Sequence, residues 1–438
     1  MTILTALFTS LPALLATTSP AQDKAVAFVG GRVLPIASAP IEDGTLVVRA
    51  GKIEAIGART AVAIPVDATV VDCKGKTLMP GLVDTHSHVG GGWGADESGP
   101  IQPGVRMLDS VNCRDSGFQR AQAGGITTIN VMSGSGHLMA GQTIYLKNRD
   151  ADTIDGLVYR FADGSPMGGM KMANGTNSQR DPPFPGTRGK SAALVREQFV
   201  AAQEYKRKLA AAGNDVEKRP ARDLALEGLV EILDKKRVVH HHTHRHDDVL
   251  TVLRLAKEFD FRVVLHHVSE AWKVADEIVA AKIPCSLIVI DTPGGKLEAA
   301  DFDASSAAEL EKRGAPELVA FHTDDWITDS RLFLRSAALA VRAGCSRDTA
   351  LAGLTKNPAA MLDLGDRVGT LERGKDADVI VLSGDPLSVY TRVEQTWVEG
   401  VKVFDLAVPD DRRYAEGGWG VGHPRVETVC CLGGGEDR

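Results

Sequence analysis

The sequence predicts an α/β protein: a (β/α)8 TIM-like barrel carrying a small β-sandwich built from both chain ends. Three observations predict it. From Gly81 to about Leu364, apolar strand-like runs alternate with amphipathic helical stretches, the pattern of a barrel of β/α units. Short β-type runs punctuated by glycine flank that region on both sides. Histidines and an aspartate close several of the inner runs, and a barrel carries its chemistry at the carboxyl ends of its strands.

Composition bounds the classes. The chain has 438 residues, 43% hydrophobic and 24% charged, enough for one barrel and a smaller domain and unlike a disordered or fibrous chain. A formal net charge of -7 without any long basic run leaves no footprint for nucleic acid. Residues 2–16 are apolar or hydroxylic and uncharged, and Ser19-Pro20-Ala21 offers a small-x-small cleavage site, so residues 1–21 read as a signal peptide, although no Lys or Arg precedes the apolar stretch. A periplasmic or secreted protein is expected, with no membrane attachment after cleavage. Cys73, Cys113, Cys285, Cys345, Cys430 and Cys431 show no zinc-ribbon or C-x-x-C spacing and read mostly as small buried hydrophobes.

In chain order, residues 22–80 supply the first part of the sandwich, with β-type runs at 26–29, 45–48 and 52–56 separated by Gly30-Gly31, Asp43-Gly44 and Gly51. Residues 81–364 form the barrel, with helical stretches at 221–235, 249–259, 271–281 and 329–343. Residues 163–186, rich in Gly, Pro, Asn and Met, read as a long loop covering the site. Residues 365–408 return to β-type runs at 378–382, 393–398 and 401–404, completing the sandwich, and the Gly-rich, polar residues 409–438 read as a loosely ordered tail.

The first barrel strand ends in Asp84-Thr85-His86-Ser87-His88. Side chains alternate along a strand, so His86 and His88 share a face and can grip one metal ion. In the run 237–242, His242 sits at the carboxyl end as a ligand candidate, His240 shares its face more deeply and His241 faces the helices. His241, His244 and His246 read as solvated or supporting. In the run 262–267, alternation turns only one of His266 and His267 to the centre, and His267, next to the following loop, is the candidate. In the run 318–325, Asp324 faces the metal and Asp325 faces away. One carboxylate among imidazoles is what a hydrolytic metal site uses for proton transfer, so Asp324 is the catalytic candidate. His137, after the run 126–132, and Arg245, placed to pair with a carboxylate, are substrate-binding candidates, and Trp93 and Trp326 are candidate cleft walls.

The stretch Met79-Pro80-Gly81-Leu82-Val83-Asp84-Thr85-His86-Ser87-His88 resembles the first-strand signature of the amidohydrolase superfamily. Similarity continues in Ala123-Gly124-Gly125-Ile126-Thr127-Thr128, in Lys356-Asn357-Pro358-Ala359 and from Gly369 to Asp378, and it is strongest to the imidazolonepropionase-like and Xaa-Pro dipeptidase-like branch. The resemblance implies one ion on His86 and His88, a second on His242 and His267, and Asp324 as both ligand and proton shuttle. Binuclear relatives bridge their ions with a carbamylated lysine, for which Lys171 is the candidate. Two divalent ions within about 4 Å repel, and neutral imidazoles do not offset that. A carbamylated Lys171 therefore goes with two ions, and a remote Lys171 with one. The expected cofactor is one or two divalent ions, zinc foremost. The expected reaction is cleavage of a carbon–nitrogen amide bond in a small molecule, a dipeptide or an N-acyl amino acid. A mononuclear deaminase or cyclic-amide (imidazolonepropionase-like) hydrolase is the alternative, a non-catalytic scaffold on the same fold is a second, and homo-oligomerisation is open.

Overall fold

The computed structural model describes residues 24–91, 96–289, 297–325, 327–418 and 421. The expected signal peptide, Trp93, Trp326, Cys430, Cys431 and most of the expected tail lie outside the described residues. The chain opens with β1 (Val26–Val33), β2 (Ile41–Arg49), β3 (Lys52–Ala58), β4 (Thr69–Asp72) and β5 (Thr77–Pro80). Through its middle run β6 (Leu82–Ser87), β7 (Ile126–Val131), β8 (Met139–Gln142), β9 (Ile144–Lys147), β10 (Met170–Ala173), β11 (Val239–Thr243), β12 (Val263–His267), β13 (Cys285–Leu287) and β14 (Val319–Phe321). It closes with β15 (Val379–Leu382), β16 (Val393–Val398) and β17 (Val401–Asp405). The helices are α1 (Ser116–Ala123), α2 (Arg188–Ala212), α3 (Leu224–Leu233), α4 (His246–Phe259), α5 (Ala275–Ala281), α6 (Ser306–Lys312), α7 (Phe333–Arg342), α8 (Arg347–Ala352), α9 (Lys356–Met361) and α10 (Pro409–Glu416).

Strands from both chain ends share one sheet, in the order β17-β16-β15-β5-β1-β2-β3 with β4 paired to β1. β15 lies antiparallel to β5, Val379 opposite Pro80, so the late strands are bonded to the strand that leads directly into β6. One face buries Phe28, Leu46, Val48, Leu78, Val379 and Val381, with the Trp397 ring edge-on to Phe28 at 5.1 Å. Burial of such aromatic and aliphatic surface is what holds this sheet together.

The middle strands form a six-stranded sheet, β14-β13-β12-β11-β10-β8, and a three-stranded sheet, β6-β7-β9. Hydrogen bonds join the two at both edges. At one, the Asp324 N–H donates to the His86 carbonyl at 2.9 Å, and Ser87 bridges Asp325 in the parallel sense. At the other, the Thr143 N–H donates to the Gly169 carbonyl at 3.0 Å. Pairing is parallel from β10 through β14 and between β6 and β7, but β8 and β9 run antiparallel to β10 and β7. The fold is α/β, and it departs from eight parallel β/α units. The chain turns back after β7 within the short segment before Met139, whereas a parallel neighbour needs a crossover of about a dozen residues or more.

Two long helices show how a single apolar face is buried. On α2 the Thr187 side chain accepts the Lys190 N–H, and Val195, Phe199, Ala202 and Tyr205 are buried. On α4 the buried stripe is Val249, Val252, Leu255, Ala256 and Phe259, and Asp247 and Asp248 lie in the first turn, where the helix dipole favours anions. The helical stretch expected at 221–235 forms α3, capped by Asp223. Those expected at 271–281 and 329–343 each divide into a 3-10 turn, Ala271–Lys273 and Ser330–Leu332, followed by α5 and α7. Gly81 meets a packing demand: a Cβ there would fall 2.2 Å from Thr127 Oγ1 of β7.

Two expectations are corrected. The stretch 163–186 is not a loop throughout, because it contains β10, whose four residues are all buried. A strand buried on both faces shows no alternation to read. Within the expected tail, residues 409–416 form α10, which starts on a proline, carries Asp410 and Asp411 in its first turn and has Arg413 in its last. Cys73, Cys285 and Cys345 are buried, Cys113 is half-buried, and all four are free thiols. Among the described residues no helix is long and apolar enough to cross a membrane.

Candidate metal centre

Edge joining of the two middle sheets brings the end of β6 against the ends of β10, β12 and β14. Asp84 secures that meeting: its carboxylate accepts the backbone N–H of His86 and of Thr323, both at 3.1 Å, and the Thr323 hydroxyl. His88 Nε2 lies 2.9 Å and His86 Nε2 3.3 Å from Asp324 Oδ1. Lys171 of β10, wholly buried, places Nζ 3.0 Å from His86 Nε2 and 3.3 Å from Met132 Sδ. His267 Nδ1 is 3.9 Å from Asp324 Oδ2, and the His267 ring centre lies 4.2 Å from that of His242. The sequence candidates His86, His88, Lys171, His242, His267 and Asp324 thus stand around one region at one end of the middle strands.

Three groups of potential ligand atoms overlap there: His86, His88 and Asp324; His242, His244 and His267; and His86, His267 and His322. Burial holds His86 and His267 far below the usual imidazole range and takes His322 down to about 3, so these rings are neutral and offer lone pairs. Burial works against ionisation of Asp324, but the His88 hydrogen bond leads the contributions that outweigh it, and the carboxyl stays below its ordinary value. Buried polar atoms are almost always paired, yet His86 Nδ1 and His267 Nε2 are buried and form no hydrogen bond among the described residues. Neutral imidazoles around one carboxylate, with a buried lone pair in need of a partner, fit a divalent ion. His88 Nδ1 sits 2.8 Å from the Met132 carbonyl, the backbone anchor that fixes a ligating imidazole through its other nitrogen.

His244 and His322 enter these groups although the sequence reading gave neither a ligand role. His244 is buried, with Nδ1 2.8 Å from Ser269 Oγ. The expectation that only one of His266 and His267 meets the centre is also corrected: the two rings lie 5.0 and 4.9 Å from that of His86. His267 adopts φ 71° and Val268 φ 45°, so the backbone leaves strand geometry at the point where alternation was applied. Asp324, at φ 50°, is turned in the same way. His240 lies deeper, as expected, with Nε2 2.8 Å from the Tyr145 hydroxyl and Nδ1 2.9 Å from His266 Nε2. His241 lines a small cavity on the helix side with Ala192, Val195 and Leu255.

The two substrate-binding candidates are not members of these ligand groups. His137 is buried edge-on to Phe184, ring centres 5.2 Å apart, and the Arg180 guanidinium covers the same phenyl ring at 3.8 Å. Arg245 forks onto Asp247 at 3.1 and 2.9 Å, so its guanidinium is engaged by a carboxylate of its own chain. Asp325, expected to face away, accepts from the Ser330 hydroxyl at 2.9 Å.

The fold is α/β, and this donor set is one that could hold a divalent metal ion. The chain belongs to the amidohydrolase family, whose model matches residues 77–403. It is 33% identical to an amidohydrolase from Thermotoga maritima MSB8, whose crystal structure matches with a TM-score of 0.79 over 87% of this chain and 100% of that one. It is 27% identical over 376 residues to amidohydrolase tasK of Hapsidospora irregularis, a match that covers 79% of this chain but only 38% of that longer protein. It is 26% identical over 394 residues to imidazolonepropionase of Pseudomonas putida, covering 78% of this chain and 87% of that protein.

Proposed function

We propose that this protein is a metal-dependent amidohydrolase that cleaves the amide carbon–nitrogen bond of a small molecule such as a dipeptide or an N-acyl amino acid. The observation that carries the reading is the meeting of His86, His88 and Asp324 with His242, His244 and His267 at one end of the middle strands. We read those strands as a closed barrel, since hydrogen bonds join the two sheets at both edges, and the sheet from the chain ends as the small sandwich beside it.

In this reading His86, His88 and Asp324 hold one ion and His242, His244 and His267 a second, zinc being the expected metal. When bound, a divalent ion supplies an activated water at neutral pH and polarises the scissile carbonyl. Lys171 places Nζ 3.0 Å from His86 Nε2, and beside two dications it would be better accommodated as a carbamate than as an ammonium. Asp324 moves the proton: its side chain is 15% exposed, against 0% for His86 and 2% for His88 and His267, so it alone of these faces the space a substrate enters. It takes a proton from the attacking water and delivers it to the amide nitrogen, which cannot leave as an anion. The uncharged leader supports an exported enzyme, which cell fractionation of the full chain would test.

The test is hydrolysis of a panel of dipeptides, N-acyl amino acids and lactams by zinc-loaded protein, with metal counted in the same preparation. Turnover of the linear amides with about two ions per chain is expected. Turnover restricted to lactams, with one ion, would favour a cyclic-amide hydrolase, the reading that the match to imidazolonepropionase supports.

A further inference from the structure

His322 stands within ligand distance of His86 and His267, yet both of its nitrogens are engaged. Its Nδ1 lies 2.9 Å from Ser286 Oγ, and its Nε2 lies 3.2 Å from His267 Nδ1. Ser286 Oγ continues to Thr85 Oγ1 at 2.7 Å. The four side chains, on β12, just past β14, on β13 and on β6, are all buried and form one hydrogen-bonded line that ends at His267 Nε2, which has no partner among the described residues.

Such a line can point its hydrogens in one of two directions. Running away from the centre, His267 Nδ1–H donates to His322 Nε2, His322 Nδ1–H to Ser286 Oγ, and the Ser286 hydroxyl to Thr85 Oγ1, which leaves His267 Nε2 as a bare lone pair. Running the other way, His267 Nε2 carries a hydrogen that no group among the described residues accepts, which is unfavourable for a buried donor. A cation satisfies a lone pair and is repelled by an N–H. We propose that His322 is a positioning residue, not a ligand: by accepting the His267 Nδ1 hydrogen it holds His267 in the tautomer whose Nε2 binds the ion, and Ser286 and Thr85 hold His322 in turn. This rests on the metal-site reading above.

Zinc affinity measured by competition with a chromophoric chelator tests it, on wild type, His322→Phe, His322→Gln and Ser286→Ala. His322→Phe removes the acceptor and is expected to weaken one zinc by about 10–100-fold, while His322→Gln, whose amide oxygen accepts the same hydrogen, stays within about threefold of wild type. Ser286→Ala is expected to weaken the same ion by a smaller factor. Melting of the zinc-free proteins reports whether each variant folds, and if His322→Phe does not, Ser286→Ala and His322→Gln carry the test. Unchanged affinity in His322→Phe or in Ser286→Ala overturns the proposal. Loss in His322→Gln as large as in His322→Phe also overturns it, since that marks His322 as a direct ligand. Wild type that binds no zinc would sink the metal-site reading itself, a result distinct from either.

Discussion

Asp324 and Lys171 are given different roles in the same crowded space, and each role can be removed separately. Asparagine at 324 keeps an oxygen near His88 but cannot carry a proton, so Asp324→Asn is expected to lower kcat by about 100-fold or more while much of the metal stays bound. Full activity in that variant would end the shuttle role. Lys171→Ala is expected to lose one ion together with activity, and metal analysis showing an unchanged count would remove Lys171 from the site. At this scale the sequence was legible wherever strand geometry persists: alternation along β6 placed His86 and His88 together. It failed where the backbone leaves that geometry, because no pattern of residue types announces the positive φ of His267 that brings it to the centre beside His266. The ligand-distance positions of His244 and His322 were hidden for a related reason, since each depends on contacts with a neighbouring strand. The repeated histidines two residues from a chosen ligand were the signal available.

Between elements, the most consequential contact joins β9 to the residues just before β15. Lys147, buried, lies 2.8 Å from Asp376 and 2.9 Å from Asp378, and Asp376 is also bonded by Lys52 and Arg367. Burial favours the neutral forms, but the cations outweigh it at Asp376, which stays well below the usual carboxylate range. At Asp378 burial prevails and the carboxyl is pushed up. The signs differ accordingly. Stability from Asp376 is present above its unfolded value of about 3.9 and is lost as pH falls toward its depressed folded value, whereas acid relieves the buried charge of Asp378. Lys147→Met leaves both carboxylates without their shared cation and is expected to cost about 3 kcal/mol at pH 7. Both folded values then rise, so the deficit should shrink as pH falls toward 4, which denaturant melts at the two pH values would show. A deficit that grows in acid would contradict this. The segment from Gly369 to Asp378 resembled the family in sequence, but only the fold shows that its two aspartates meet Lys147. β10 escaped the sequence reading because four residues buried on both faces carry no period. The amphipathic stretch that became α4 was readable because one of its faces meets water.

At the scale of the whole molecule, alternating runs and returning β texture made the α/β class and the pairing of the chain ends readable. The antiparallel segment 139–147 was not, since strand direction depends on how the chain turns after β7 and not on the composition of the strand. If the proposed ligands hold ions only when folded, zinc at 100 times its dissociation constant should add about 2.7 kcal/mol to stability and raise the melting temperature. A melting temperature indifferent to zinc and to chelator would speak against a structural linkage between the ions and the fold. The most direct measurement is anomalous diffraction from crystals of zinc-loaded protein. The account predicts a peak at about 2.0–2.2 Å from His86, His88 and Asp324, with a second beside His242 and His267. Bound zinc found elsewhere, with no peak among these side chains, would contradict it.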